Sequence, residues 1–143
     1  MTLQPIIPAN DRLIVALDVP TVSAAKELVT VLDDSVVFYK VGLELFMSGD
    51  AFALVNWLRE RDKKVFVDLK FFDVPATVGR AVSQLNGLGI TFATIHGNDA
   101  IMQAAAASAE DVDILAVTVL TSLDRGDLSD LGFDCDVSEL VVS

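Results

Sequence analysis

Sulfur, histidine and positive charge are all scarce in this sequence. Its 143 residues include one cysteine, Cys135, and one histidine, and 10 Lys and Arg residues stand against 21 Asp and Glu, for a formal net charge of −11. A single thiol cannot form an intrachain disulfide, which fits a reducing compartment. A chain this acidic is poorly suited to bind nucleic acid or an anionic membrane, so we expect neither partner.

Long apolar runs are also missing. No run approaches the roughly 20 residues that a helix needs to cross a bilayer. Residues 1–8 contain neither the basic start nor the apolar core of an export signal. We therefore expect a cytoplasmic protein. Because 52% of the residues are hydrophobic and 22% are charged, the composition predicts a globular domain rather than a disordered chain.

Short apolar runs alternate with longer amphipathic segments along the chain. The runs are rich in Val, Ile and Phe and predict strands buried on both faces, at residues 13–17, 36–41, 65–69, 91–95 and 114–119. The segments between them predict helices at residues 21–32, 50–61, 77–88 and 99–108. Strand–helix alternation indicates an α/β fold with a parallel sheet, and the absence of a linker predicts one domain over residues 1–143.

Two architectures share this alternation. A doubly wound sheet, as in the receiver domains of signalling proteins, closes with five βα units in about this length. A (β/α)₈ barrel typically needs about 250 residues, so length alone favours the doubly wound sheet. A receiver domain needs an acidic pair after its first strand and a lysine after its fifth. Here Asp18 has no adjacent acidic partner and the fifth predicted strand does not end in lysine, so these residues argue against a receiver domain.

Polar residues recur where the predicted strands end. The carboxyl ends of successive parallel strands converge on one face, which in a barrel is the catalytic face. Each residue also has a structural interpretation, and for the histidine a satisfied interior position is about as good an explanation as a functional one. The residues at or just after the five strand ends are Asp18, Lys40, Lys70, His96, Thr118, Thr121 and Ser122.

The third strand carries the densest group of charges. Alternation of side chains along a strand places Phe66, Asp68 and Lys70 on one face. Lys40 lies on the neighbouring strand and Asp73 in the following loop. With Asp68 and Lys70, these two residues could form an alternating chain of charges. Flanking carboxylates would keep Lys70 protonated and fixed in direction, as a preorganised electrostatic stabiliser and proton donor. An ordinary strand-end ion pair is the alternative.

With these residues in view, the sequence resembles the orotidine 5′-monophosphate decarboxylase family. The matching segments follow the order of the family and span nearly the whole chain, and the segment around Lys70 is the most specific. The segments are Ile14-Val15-Ala16-Leu17-Asp18-Val19, Tyr39-Lys40-Val41-Gly42, Val67-Asp68-Leu69-Lys70-Phe71-Phe72-Asp73-Val74-Pro75-Ala76-Thr77-Val78 and Val117-Thr118-Val119-Leu120-Thr121-Ser122.

The resemblance implies a (β/α)₈ barrel that converts orotidine monophosphate to uridine monophosphate, the last step of pyrimidine nucleotide synthesis, without metal or cofactor. It implies that Lys70 donates a proton to pyrimidine C6 and that Asp68 lies beside the departing carboxylate. Lys40 and Asp18 would hold the ribose hydroxyls and complete the charge network.

The resemblance also implies a homodimer with shared active sites. Asp73 and Thr77 would reach into the site of the partner subunit, while Thr121 and Ser122 would contact the pyrimidine. Hexulose-phosphate synthases and keto-gulonate-phosphate decarboxylases share the D-x-K-x-x-D run, but they usually carry glutamate where Lys40 stands, and they use magnesium. Lys40 therefore favours the orotidylate branch.

The phosphate-binding elements of the family follow strands six to eight, and the sequence contains neither their glutamine-bearing loop nor their glycine–arginine pair. We therefore expect this chain to supply the N-terminal part of the barrel, about five βα units. On its own it is expected to be unstable or to aggregate and to have little decarboxylase activity. A catalytically silent fragment is the remaining alternative.

Overall fold

In the computed structural model, residues 6–142 are described and form one five-stranded sheet flanked by helices. Expectations about residues 1–5 lie outside the described part of the chain. The strands are β1 (Val15–Ala16), β2 (Phe38–Gly42), β3 (Lys64–Phe71), β4 (Phe92–His96) and β5 (Asp113–Val117). The helices are α1 (Val22–Leu32), α2 (Leu43–Met47), α3 (Ala51–Arg59), α4 (Pro75–Ser83), α5 (Asp99–Ser108), α6 (Arg125–Asp130) and α7 (Val137–Val142).

The order of the strands in the sheet is sequential, β1-β2-β3-β4-β5, and all four pairings are parallel. A doubly wound sheet reverses its strand order at a switch point, whereas a barrel adds each strand beside its predecessor. The sheet is therefore of the barrel type, and the preference drawn from length alone was wrong.

The elements lie close to their predicted positions, and capping explains the small shifts. Thr21 and Asp50 are not helical residues but N-caps, whose side-chain oxygens accept hydrogen bonds from Ala24 N and Ala53 N at 3.1 and 2.9 Å. The helix predicted at 77–88 begins earlier, at Pro75, where a proline suits the first turn, and ends earlier, at Ser83.

The two faces of the sheet differ as side-chain alternation predicts. The face toward the helices is aliphatic and buried, as Val65 and Val67 on β3 illustrate. The opposite face carries an aromatic cluster from β2, β3 and β4. Phe92 lies between Phe38 and Phe66, with ring centroids 5.6 and 6.0 Å away. This cluster packs the interior of the barrel beneath the polar strand ends and supports them.

No helix between residues 6 and 142 is both long enough and apolar enough to cross a membrane.

Candidate active site

Four charged side chains form a line across the carboxyl ends of β1, β2 and β3. Lys40 Nζ lies 3.8 Å from Asp18 Oδ1 and 3.1 Å from Asp68 Oδ2. Lys70 Nζ lies 2.8 Å from the other oxygen of the same carboxylate, Asp68 Oδ1. The signs alternate along the line, so each lysine is held by carboxylate, and Asp68 bridges the two ammonium groups. We call these four residues the charged line.

Asp68 is the most buried member of the charged line, with 11% of its side chain exposed. Burial alone raises the pKa of this carboxyl, but hydrogen bonds from Lys70, Lys40 and Thr94 outweigh burial, and the net pKa lies below its ordinary value. Asp68 is therefore ionised throughout the neutral range. A fixed negative charge at the strand ends keeps both ammonium groups in place.

The backbone of Lys70 is unusual. Its φ of 48° lies in the left-handed region, which costs a residue with a β-carbon roughly 1–2 kcal/mol. The pairing of β3 with β4 also shifts register between Val67 and Phe71, so Lys70 sits in an irregular stretch of the strand. Irregularities of this kind re-aim a side chain and are common beside active sites. Here the ammonium group is directed back to Asp68.

A cleft of about 450 Å³ opens beside Asp68 and Lys70, at one end of the charged line. Asp68 and Lys70 lie on one side of it, and the loop after β5 forms another side through Thr121 and Ser122. The structure therefore places these four predicted site residues around one cleft. Val117, rather than the predicted Thr118, is the β5 residue that lines the cleft.

Asp73 does not join the charged line, so the predicted chain Lys40–Asp68–Lys70–Asp73 was wrong in its last member. Asp73 makes no ion pair within residues 6–142, and its Oδ1 accepts a hydrogen bond from the adjacent Val74 N at 2.6 Å. Asp18 occupies the fourth place instead, at the Lys40 end of the line. The loop after β3 carries the Asp73 carboxylate away from Lys70.

Thr77 and His96 are also absent from the cleft lining. Thr77 lies on α4, where its hydroxyl accepts a hydrogen bond from Arg80 Nη2 at 3.1 Å. His96 packs its ring against the exposed ring of Phe72, with centroids 4.4 Å apart. Neither side chain contributes to the charged line within the part of the chain that the structure describes.

One member of the site was missed by the sequence analysis. Thr94, at the middle of β4, lines the cleft and hydrogen bonds to Asp68 and to the Lys70 backbone. It lies on the same strand face as Phe92, a signal that places it in the barrel interior. A threonine is common in buried strands, however, so its residue type did not mark it as functional.

The described residues offer no obvious metal site, and the Lys40 ammonium group lies where a metal ion could otherwise meet Asp18 and Asp68. Among residues 6–142, no three or more His, Cys, Asp or Glu side chains are grouped so that they could hold a metal ion. Lys40 occupies the space between Asp18 and Asp68, where its ammonium group already compensates both carboxylates.

Together, the sequential parallel sheet and the charged line at its carboxyl ends define a (β/α)₈-barrel protein with an enzyme-like site. A sequence model described as the orotidine 5′-phosphate decarboxylase/HUMPS family matches residues 11–141. This chain therefore belongs to that family.

Similar proteins support the assignment. An orotidine 5′-phosphate decarboxylase from Methylococcus capsulatus is 72% identical over 137 residues, which cover 96% of this chain and 57% of that protein. One from Stenotrophomonas maltophilia is 50% identical, over 93% of this chain and 56% of that protein. A crystal structure of orotidine 5′-phosphate decarboxylase from Lactobacillus acidophilus superimposes with a TM-score of 0.80 at 32% identity, over 91% of this chain and 63% of that one.

The chain thus spans a little over half the length of these curated relatives. The fold is accordingly an incomplete barrel of about five βα units, as the sequence predicted. Experiments on the whole site use a longer protein, which we call the completed chain. It consists of this sequence followed by the C-terminal part of the Methylococcus capsulatus relative, the part to which this sequence has no counterpart.

The lowered pKa of Asp68 predicts an acid-sensitive contribution to stability. The free unfolded carboxyl titrates near pH 3.9, so the contribution is fully present above about pH 5 and is lost as pH falls through the lower pKa of the folded state. In the completed chain, Asp68→Asn should remove this part of the acid dependence. Urea unfolding followed between pH 3 and pH 7 measures it.

Asp113→Asn is the matched control, because Asp113 is an exposed strand carboxylate at the start of β5. It should leave the acid dependence of the free energy of unfolding close to that of the parent. Identical pH profiles for the parent and Asp68→Asn would contradict the assignment of a lowered pKa to Asp68.

Proposed function

We propose that the protein to which this segment belongs is an orotidine 5′-phosphate decarboxylase, which converts orotidine monophosphate to uridine monophosphate and carbon dioxide in pyrimidine synthesis. The observation that carries the proposal is the bridge of Asp68 between the ammonium groups of Lys40 and Lys70, at 3.1 and 2.8 Å. The names of the Methylococcus capsulatus and Stenotrophomonas maltophilia relatives agree with this reaction.

The charged line suits the electron movements of the reaction. The bond between pyrimidine C6 and its carboxylate carbon breaks, and the electron pair stays on C6. The Lys70 ammonium group then transfers one proton to C6 and is recharged from solvent. A positioned general acid of this kind contributes roughly 10²–10⁴-fold to a rate. An ammonium group also stabilises negative charge as it develops on C6, before the proton moves.

Asp68 contributes through its fixed charge. Because its pKa is lowered, it stays ionised and repels a substrate carboxylate placed in the cleft beside it. The repulsion disappears when that group departs as neutral carbon dioxide. Lys40 holds the second oxygen of Asp68 and prevents the carboxylate from turning away. Only an interaction that improves toward the transition state accelerates the chemical step, and this arrangement meets that requirement.

Asp18, at the Lys40 end of the charged line, and the loop after β5 suit recognition of the nucleoside. Asp18 is 69% exposed and is only loosely paired with Lys40, so its carboxylate is free to accept a hydrogen bond from a ribose hydroxyl, with Lys40 beside it. Thr121 and Ser122 line the cleft on the β5 side and offer hydroxyl groups to the pyrimidine. The substrate phosphate would be bound by the later βα units of the barrel, outside this segment.

We further propose a homodimer in which Asp73 and Thr77 complete the site of the partner subunit. Both residues lie off the cleft of their own chain, and the Asp73 carboxylate is exposed. The side chains on either side of it are apolar and also exposed, Phe72 at 70% and Val74 at 63%. An exposed apolar rim around a carboxylate that makes no ion pair within residues 6–142 suits a protein partner.

The same proposal includes a single domain over residues 1–143, a cytoplasmic location, no nucleic-acid or membrane partner, and catalysis without metal or cofactor. Lys40 separates this chemistry from that of the magnesium-dependent relatives, since an ammonium group stands 3.1 Å from Asp68 where those relatives usually carry glutamate. The sequential strand order separates it from a receiver domain.

The decarboxylation assay on the completed chain tests the proposal. Turnover of orotidine monophosphate should reach about 1–10³ per second, the ordinary range of enzymes, and should be unchanged by EDTA. The fall in ultraviolet absorbance of the substrate measures it. Hexulose phosphate with magnesium is the comparison substrate. Turnover of that compound but not of orotidine monophosphate would reject the proposal.

A further inference from the structure

The hydroxyl of Thr94 joins two parts of the charged line. Thr94 Oγ1 donates a hydrogen bond to Asp68 Oδ1 at 2.9 Å. The same oxygen accepts a hydrogen bond from the backbone N–H of Lys70, also at 2.9 Å. Since Lys70 Nζ contacts Asp68 Oδ1 as well, at 2.8 Å, the three residues form a closed ring of hydrogen bonds. Backbone, hydroxyl, carboxylate and ammonium group are thus connected in one unit.

The direction of each hydrogen bond follows from its chemistry. An ionised carboxylate can only accept, so the single hydroxyl hydrogen of Thr94 must point to Asp68. The lone pairs of Thr94 are then left to accept from the Lys70 N–H. Thr94 is only 4% exposed, and a branched side chain on a strand has few rotamers, so the hydroxyl has little freedom to turn.

The Lys70 backbone has a special need for such a partner. Its φ of 48° is unfavourable for any residue that carries a β-carbon, and it lies where the β3–β4 pairing shifts register. A conformation of this kind persists only when its surroundings fix it. Thr94, on β4, supplies a hydrogen bond to the strained residue itself and to the carboxylate that directs its side chain.

We propose that Thr94 is a positioning residue, which holds Lys70 and Asp68 in the arrangement needed for proton transfer. The inference rests on the proposed decarboxylase function and extends it to a residue on β4. Thr94 does not itself transfer a proton. Its single hydroxyl hydrogen is directed to Asp68 and its oxygen accepts from Lys70 N–H, so its effect on the reaction passes through these two residues.

Thr94→Val in the completed chain tests the inference, because valine keeps the shape of threonine and removes the hydroxyl. We expect kcat to fall by about 10²-fold, as for misplacement of a reacting group by roughly 1 Å, while KM changes by less than about threefold. Thr94→Ser restores the hydroxyl and should keep kcat within about threefold of the parent. If Thr94→Val does not fold, Thr94→Ala takes its place.

Thr30→Val is the matched control, since Thr30 is an exposed residue of α1 whose hydroxyl donates a hydrogen bond to Lys26 O within its own helix, at 2.7 Å. It should leave kcat unchanged. A valine variant at position 94 with the kcat of the parent would overturn the inference. So would a loss of kcat that serine at position 94 does not restore.

Two further measurements separate this inference from the proposed reaction. Hydrogen exchange of the Lys70 amide should be faster in Thr94→Val than in the parent and in Thr94→Ser, because the amide loses its acceptor. The carboxyl carbon of Asp68, followed by NMR, should titrate at higher pH in Thr94→Val. Neither measurement needs substrate. If the parent does not turn over orotidine monophosphate but Thr94→Val shows both changes, only the proposed reaction is rejected. If exchange of the Lys70 amide and titration of Asp68 are unchanged in Thr94→Val, the role of Thr94 is rejected.

Discussion

Replacing Lys70 by alanine in the completed chain is expected to lower kcat/KM for orotidine monophosphate by at least about 10³-fold, because the variant loses both the proton donor and the charge that stabilises the carbanion. The fold should survive. Alanine also carries a β-carbon, so the strain at φ 48° is the same as in the parent, and the side chain that is removed lies in an open cleft. Steady-state kinetics and circular dichroism measure the two effects.

Lys64→Ala provides the matched control on the same strand. Lys64 begins β3, at the end opposite Lys70, and pairs with Asp11 at 2.7 Å. Its removal should change kcat/KM by less than about twofold and should cost less than about 1 kcal/mol of stability, as for an exposed ion pair. Activity retained in Lys70→Ala would refute the role assigned to Lys70.

Mixing two inactive variants extends this experiment to the proposed dimer. In a heterodimer of Lys70→Ala with Asp73→Asn, one of the two sites receives both natural residues if Asp73 acts in the partner subunit. Random exchange of subunits should then restore about a quarter of the parent activity, because half of the dimers are mixed and each has one intact site. No recovery after exchange would place Asp73 in the site of its own chain.

The 143-residue chain alone is expected to have kcat/KM for orotidine monophosphate at least about 10³-fold below that of the completed chain, because remote phosphate contacts commonly lower the barrier as well as bind the substrate. The fold adds a second reason. Within residues 6–142, β1 and β5 are the terminal strands of the sheet, so each presents an unpaired edge, and the apolar Leu115 of β5 is exposed. Such edges favour association between chains.

Purification of both chains under one protocol tests this expectation. Size-exclusion chromatography with light scattering should find the 143-residue chain aggregated or poorly folded and the completed chain as a discrete dimer. The decarboxylation assay on the same samples measures activity, with Lys70→Ala in the completed chain as the background. Near-normal turnover by the isolated 143-residue chain would contradict the prediction.

Much of the site was predictable from the sequence because its determinants are local. Side chains alternate along any strand, so the shared face of Phe66, Asp68 and Lys70 follows from their spacing alone. Apolar runs of strand length mark the buried strands, and the polar residues that end them mark the face where a site can form. The contact between Asp68 and Lys70 needed no knowledge of the rest of the chain.

The fold type was decided by long-range pairing. Length favoured a doubly wound sheet, and only the sequential order of the strands showed a barrel. The order of strands depends on which edges meet in space, and each βα unit has the same local pattern in both architectures. The motif around Lys70 pointed to the barrel through resemblance, not through any local preference of the backbone.

The strands, their polar ends and the pairing of Asp68 with Lys70 follow from local sequence patterns alone. Long-range packing places Asp18, and not Asp73, at the end of the charged line, and it brings Thr94 between Asp68 and the Lys70 backbone. Thr94 and Lys70 are 24 residues apart and meet only because β3 pairs with β4 at a shifted register. A contact that depends on register between separate strands has no local signature, because each residue type alone fits many positions.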